Sequence, residues 1–261
     1  MNVLADGWTL AQRKLLQLRH TPGVLAAMLI TPAVFVVVFG FAFGSAIHVP
    51  GVPDYREYMM PGLFVLVTGT ALSSSMVDVA TDQACAVVKR LRSLPMNQVS
   101  VPLGQSGAEG IVGVYGLAVF MVYGLVVGWR PHNGLGQTLA GVGLLLLFQY
   151  TMVWVGAYLG LVVRSARTAA TLAPLMVPLT LASTAFVPTD RMPAWLRVIC
   201  EWNPLSAIAT AVRSLFGNPG APGVGASWPL THPVTATLLW TGVLSAIFVP
   251  LSARRFTRAG L

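Results

Sequence analysis

Charged side chains are scarce in this sequence. Asp, Glu, Lys and Arg make up 9% of its 261 residues, against roughly a quarter in soluble domains. Lysine occurs only as Lys14 and Lys89. The two cysteines, Cys85 and Cys200, match no metal-ligand spacing. Motifs for bond-making chemistry are missing as well. Neither lysine follows the glycines of a G-x-x-x-x-G-K-[S/T] phosphate loop, which excludes ATP hydrolysis by that route. There is no H-E-x-x-H, no G-x-S-x-G, and no paired carboxylates suited to Mg²⁺ and a diphosphate. His20, His48, His132 and His232 fall in separate polar segments. The expectation is a chain with no catalytic residue, no metal ligand and no cofactor of its own.

Apolar residues are abundant: 55% of the chain, with a mean hydropathy of +0.73. A soluble sphere of this length cannot hide that much apolar surface. The chain reads as one all-α, polytopic membrane domain over 1–261. A helix needs about 20 apolar residues to cross a bilayer. Such runs occur at 23–47, 58–80, 99–129, 137–163, 168–187 and 233–253. Pro32 predicts a kink in the first, and Pro174 and Pro178 interrupt the fifth.

The net charge of +8 has a topological meaning here. With the N-terminus inside, the inner segments hold Arg13, Lys14, Arg19, Lys89, Arg90, Arg92, Arg164, Arg167, Arg254, Arg255 and Arg258. The outer segments hold Arg56, Arg130, Arg191, Arg197 and Arg213. The inner excess predicts six crossings with both termini cytoplasmic. It also removes the need for a nucleic-acid partner. Cys85 and Cys200 then face opposite sides and are not expected to pair. The bias of arginine over lysine points to a GC-rich bacterial genome and hence to a bacterial plasma membrane.

Three segments outside these runs carry patterns. In 1–22, Leu4, Trp8, Ala11, Leu15 and Leu18 share a helical face, which predicts a helix lying in the membrane interface. No cleaved signal is expected there. In 188–217, Trp195, Glu201, Trp202, Asn203, Pro204 and Arg213 punctuate apolar residues. A pair of short helices re-entering the outer leaflet, broken at Asn203-Pro204, fits this pattern. In 82–95, Val87, Val88, Leu91 and Leu94 form an apolar stripe, while Lys89, Arg90 and Arg92 point elsewhere. Pro95 ends this short amphipathic helix, which includes Ser93. It is either a basic loop that sets topology or a docking element for a soluble partner.

Polar groups inside the runs leave two readings each. Asp78 and Glu109 lie near cytoplasmic helix ends, as anchors within reach of water or as proton or substrate ligands. Thr68, Ser73, Ser74 and Ser75 either hold helices together or line a pathway. Met59 and Met60 either form an adaptable outer contact or fill lipid-facing volume.

The run Lys89-Arg90-Leu91-Arg92-Ser93-Leu94-Pro95-Met96 follows the second crossing directly. It resembles the coupling-helix region of type-2 ATP-binding-cassette export permeases, in particular their daunorubicin-resistance branch. Pro188, Met192-Pro193, Trp195-Leu196, Asn203-Pro204 and Arg213 resemble that family's signature after the fifth crossing. Cys85-Ala86 stands where a glycine is usual and Lys89 where an acid is common, which points to a dedicated motor subunit. The resemblance implies an ATPase partner that holds ATP and Mg²⁺, with the helix at 82–95 seated in its groove and 87–95 as the coupling residues. It also implies a second permease copy or homologue, and a small hydrophobic or amphipathic cargo such as a drug, antibiotic or lipid. Two alternatives compete. A proton-coupled secondary transporter calls for midplane carboxylates, and a lipid-handling membrane enzyme calls for a clustered acidic or His site.

Overall fold

The computed structural model describes residues 22–43, 55–84, 100–163, 165–186, 192–218 and 226–258, together with Gln12, Leu16 and Gly220. Among these residues every regular element is helical. Helix α1 covers Pro22–Val37 and runs into a π-helical stretch, Val38–Phe43. Helices α2 (Tyr55–Ala84), α3 (Ser100–Val127) and α4 (Leu135–Val163) follow. A broken helix comes next: α5 (Ala166–Leu172), a 3₁₀ turn (Ala173–Leu175) and α6 (Met176–Leu181). Then come α7 (Ala194–Glu201), α8 (Pro204–Phe216), α9 (Trp228–Thr231) and α10 (Pro233–Arg258). Four of these, α2, α3, α4 and α10, contain stretches long and apolar enough to cross a membrane.

Helices α2 and α4 are mostly buried, whereas α3 and α10 turn most of their apolar residues outward. The reason is backbone proximity. Gly156 and Gly160 on α4 face α2 one turn apart, the small-x-x-x-small spacing that lets helices approach closely. A Cβ on Gly156 would overlap the Leu72 carbonyl, and one on Gly160 would lie 2.6 Å from the Met76 oxygen. Between them the Ser75 hydroxyl donates to the Val153 carbonyl at 2.9 Å. Helix α10 closes the other side of α4. Its Ser252 hydroxyl donates to the Trp154 carbonyl at 3.2 Å, and Ser245 and Thr151 share a 3.0 Å hydrogen bond.

The bundle has two distinct ends. The Tyr58 end gathers the start of α2, the α3–α4 turn, residues 182–186, and α7 to α9. The Ala84 end gathers the last turns of α2, the α4–α5 junction and Phe256 of α10. Among the described residues, Arg56, Arg130, Arg197 and Arg213 belong to the Tyr58 end, and Arg167, Arg254 and Arg255 to the Ala84 end.

Several boundaries differ from the sequence reading. Helix α2 extends that run at both ends, so residues 82–84 of the expected coupling helix continue α2, and 85–95 lie outside the described residues. The expected interfacial helix also lies outside them, apart from Gln12 and Leu16, which are helical and exposed. The fifth run is not helical to residue 187. Pro174 and Pro178 lack amide protons, the chain tightens into a 3₁₀ turn at the first, and α6 stops at Leu181. Met59 and Met60 face neither lipid nor the outside: both are fully buried in the main core. Glu109 is buried too, rather than placed in reach of water.

Candidate functional site

The chemistry of this chain concentrates where α6 ends. Residues 182–186 leave the helix, and 183–186 stay buried. Irregular backbone inside a membrane protein needs partners from neighbouring elements, because lipid offers none. Side chains of α2 and α8 supply them. Tyr55 donates its hydroxyl to the Phe186 carbonyl at 3.3 Å, and Tyr58 donates to the Thr184 carbonyl at 3.1 Å. Arg213 of α8 lies buried among three carbonyls. It donates through Nη1 to Thr184 at 2.8 Å, through Nη2 to Ala185, and through Nε to Tyr58 at 3.1 Å. The guanidinium carbon sits 3.8 Å from the centre of the Tyr58 ring, so cation–π attraction adds to the hydrogen bonds. Gly62 lets this segment reach α2, since a Cβ there would overlap the Ala185 carbonyl.

Asn203 fixes the start of α8. Its side-chain oxygen accepts from the Leu205 amide at 3.0 Å, the N-cap bond. Its amide nitrogen donates back to the Leu179 carbonyl in the last turn of α6 at 3.2 Å and to the Ala182 carbonyl just past it at 3.1 Å. Ser206 hydroxyl accepts from the Thr184 amide at 2.9 Å and donates to the Cys200 carbonyl. The end of α8 is equally fixed. Gly217 takes φ +71°, and the Asn218 amide returns to the Arg213 carbonyl at 3.0 Å, a left-handed cap that favours glycine. Asn218 then accepts from Trp129 Nε1 at 2.9 Å. The Trp129 ring meets Phe64 and Phe216 edge-on, with centroids 5.0 and 5.3 Å away.

Helix α7 is amphipathic. Cys200 and Glu201 face inward, while Trp195, Val198, Ile199 and Trp202 are exposed. Burial raises the Glu201 carboxyl. Hydrogen bonds from Arg197 at 2.7 Å and from the Ser227 amide at 2.9 Å outweigh that effect and hold it below the usual carboxylate range. Burial first, and Glu201 second, raise the Cys200 thiol.

The sequence-expected residues divide by place. Trp195 and Trp202 are exposed on and beside α7, and Glu201 is buried under it. Asn203, Pro204 and Arg213 all belong to α8 or its cap. Thr68 is buried and returns its hydroxyl to the Val65 carbonyl at 2.9 Å. Ser73 donates to the Ala173 carbonyl at 2.8 Å, which ties α2 to the 3₁₀ turn, and Ser75 ties α2 to α4. Ser74 is exposed and returns its hydroxyl to its own helix. Val87, Val88, Lys89, Arg90, Leu91, Arg92, Ser93, Leu94 and Pro95 lie outside the described residues. Sequence reasoning missed Tyr55, Tyr58, Thr184 and Ser206. It also missed Gly156 and Gly160, whose four-residue spacing is the signal that could have found them. The tyrosines carried no signal, because their partners lie more than a hundred residues away.

Residues 6–216 match the family model described as ABC-2 type transporter. The chain belongs to the ABC-2 type transporter family. Among individual relatives, a daunorubicin resistance ABC transporter permease protein, DrrB1, of Streptomyces coeruleorubidus is 28% identical over 252 residues, covering 94% of this chain and 83% of that one. A probable doxorubicin resistance ABC transporter permease protein, DrrC, of Mycobacterium tuberculosis is 24% identical over 234 residues, covering 86% of this chain and 78% of its own length. A putative transport permease, ycf38, of Cyanophora paradoxa is 24% identical over 216 residues, covering 81% and 74%. The ABC-2 match begins before α1 and ends at the last residue of α8, so it includes the whole Tyr58–Arg213 framework.

Proposed function

We propose that this chain is the permease subunit of an ATP-driven exporter in a bacterial plasma membrane. It moves a hydrophobic or amphipathic molecule, of drug, antibiotic or lipid type, out of the cytoplasm or inner leaflet. Membership of the ABC-2 family across residues 6–216 carries this reading. The names of the drug-resistance relatives support the cargo class. In this reading the chain crosses six times. The four long helices are joined by α1 with its π stretch and by the broken α5–α6 pair. Both termini face the cytoplasm, consistent with the excess of arginine there.

The motor is a separate ATPase that holds ATP and Mg²⁺. It grips residues 87–95, and a second permease copy or homologue completes the unit. Helix α7 lies in the outer leaflet, with Trp195 and Trp202 at headgroup depth, where amphipathic rings are stable. Purifying the tagged chain from its native membrane and identifying its companions tests the reading. An ATPase carrying a phosphate-binding loop is expected. A chain that exports cargo without such a companion would refute it.

A further inference from the structure

Helix α2 touches both ends of the bundle. It runs without interruption from Tyr55 to Ala84, about 45 Å at 1.5 Å per residue. Its last turn leads directly into the segment proposed to meet the ATPase. Its first turns bear Tyr55, Tyr58 and Gly62, which hold residues 182–186. Along its middle, Gly156, Gly160 and Ser75 lock it to α4 at backbone distance. A displacement at the Ala84 end is therefore carried to the Tyr58 end by a stiff pair of helices.

At that end α2 shares an apolar core with Ala185, Phe186 and α8, and a few polar bridges cross it. Beyond Ala182, whose amide still donates to the Pro178 carbonyl at 2.8 Å, α2 reaches this segment through two tyrosine hydroxyls and the close contact of Gly62 with Ala185. Arg213 is the second bridge. One guanidinium joins Tyr58 of α2, Thr184 and Ala185 of the irregular segment, and α8 itself. Asn203 extends the same connection to the last turn of α6 and to the start of α8.

We infer that Tyr58 and Arg213 are positioning residues for transport: they make residues 182–186, and α7 and α8 with them, follow α2 when the coupling end moves. This inference rests on the exporter reading. A merely structural role would satisfy the buried carbonyls and leave the response of this region to nucleotide unchanged. Lysine cannot replace Arg213 in this role, because an ammonium lacks the planar fork that meets three carbonyls together.

The test uses the permease–ATPase complex in membranes, with both native cysteines replaced by alanine and Trp202→Cys as reporter. The rate of labelling by a membrane-impermeant maleimide is measured without nucleotide and after trapping with ATP and vanadate. A several-fold difference between the two states is expected in the parent. In Tyr58→Phe/Arg213→Gln, and in Arg213→Lys, that difference should fall below twofold while the ATPase still traps nucleotide. A variant that keeps the parental difference overturns the inference. So does a parent whose complex traps nucleotide yet labels identically in both states. If no ATPase accompanies the parent, the exporter reading fails and the inference falls with it. Should the arginine variants not assemble, Tyr58→Phe alone decides. It removes one oxygen, and a parental difference in it overturns the role assigned to Tyr58.

Discussion

Replacing Gly156 by alanine tests the close approach of α2 and α4, on which the whole bundle depends. The new Cβ would overlap the Leu72 carbonyl oxygen and lie 3.0 Å from the Leu72 Cα. Carbon contacts are comfortable at about 3.5 Å or more, so the helices must part by roughly 1 Å. Overpacking of this kind costs about 1–3 kcal/mol. Alanine returns at most about 1 kcal/mol of helix propensity. Because the clash is with backbone, the cost falls at about 2–3 kcal/mol, and the net loss is about 1–2 kcal/mol once the full propensity gain is subtracted, or roughly 2–8 °C in melting temperature for a chain of this size. Gly143→Ala, on the same helix, is the control. No atom lies within 4 Å of its added Cβ, so only the propensity gain remains and melting should rise. The assay heats each detergent-solubilised variant and follows the fraction that stays monodisperse. Equal shifts of the same sign in both variants would refute the reasoning.

Three further outcomes follow from the Tyr58 end. Asn203→Ala removes the α8 cap and the donor to the carbonyls of Leu179 and Ala182. It should cost about 1–2 kcal/mol, read as a lower melting temperature, and unchanged melting would contradict the assigned role. Cys200 is buried and its thiol is raised. A maleimide should therefore modify it only after denaturation, and modification of the folded chain would place α7 differently. Glu201 is held below its ordinary value in the fold, so its contribution is full at neutral pH and disappears as pH falls through the folded value. Melting of the parent should decline below the ordinary carboxylate range, and Glu201→Gln should flatten that decline. A parallel decline in both would refute the linkage.

Much of the frame was readable from composition and charge. The apolar runs mark α2, α3, α4 and α10 because a bilayer-length helix needs an uninterrupted apolar stretch. The break at Asn203-Pro204 was visible because proline ends one helix and asparagine caps the next. The end of α6 was not readable. Residues 182–186 look as apolar as a helix, and only tertiary partners reveal that Tyr58 and Arg213 take the place of helical bonds there. Arg213 itself reads as a loop cation among the outer arginines, whereas three carbonyls bury it completely. The burial of Met59 and Met60 was hidden for a related reason. Periodicity cannot separate a lipid-facing from a core-facing side in a helix that is apolar all round.

The proposed exporter depends on a separate ATPase that grips residues 87–95. The most direct measurement is the ratio of ATPase to permease in complexes purified from membranes, for the parent and for Arg90→Ala/Leu91→Ala. The parent should hold its ATPase at a fixed ratio. The double variant should reach the membrane at parental levels and lose most of that ATPase. Undiminished ATPase on the variant would contradict the claim.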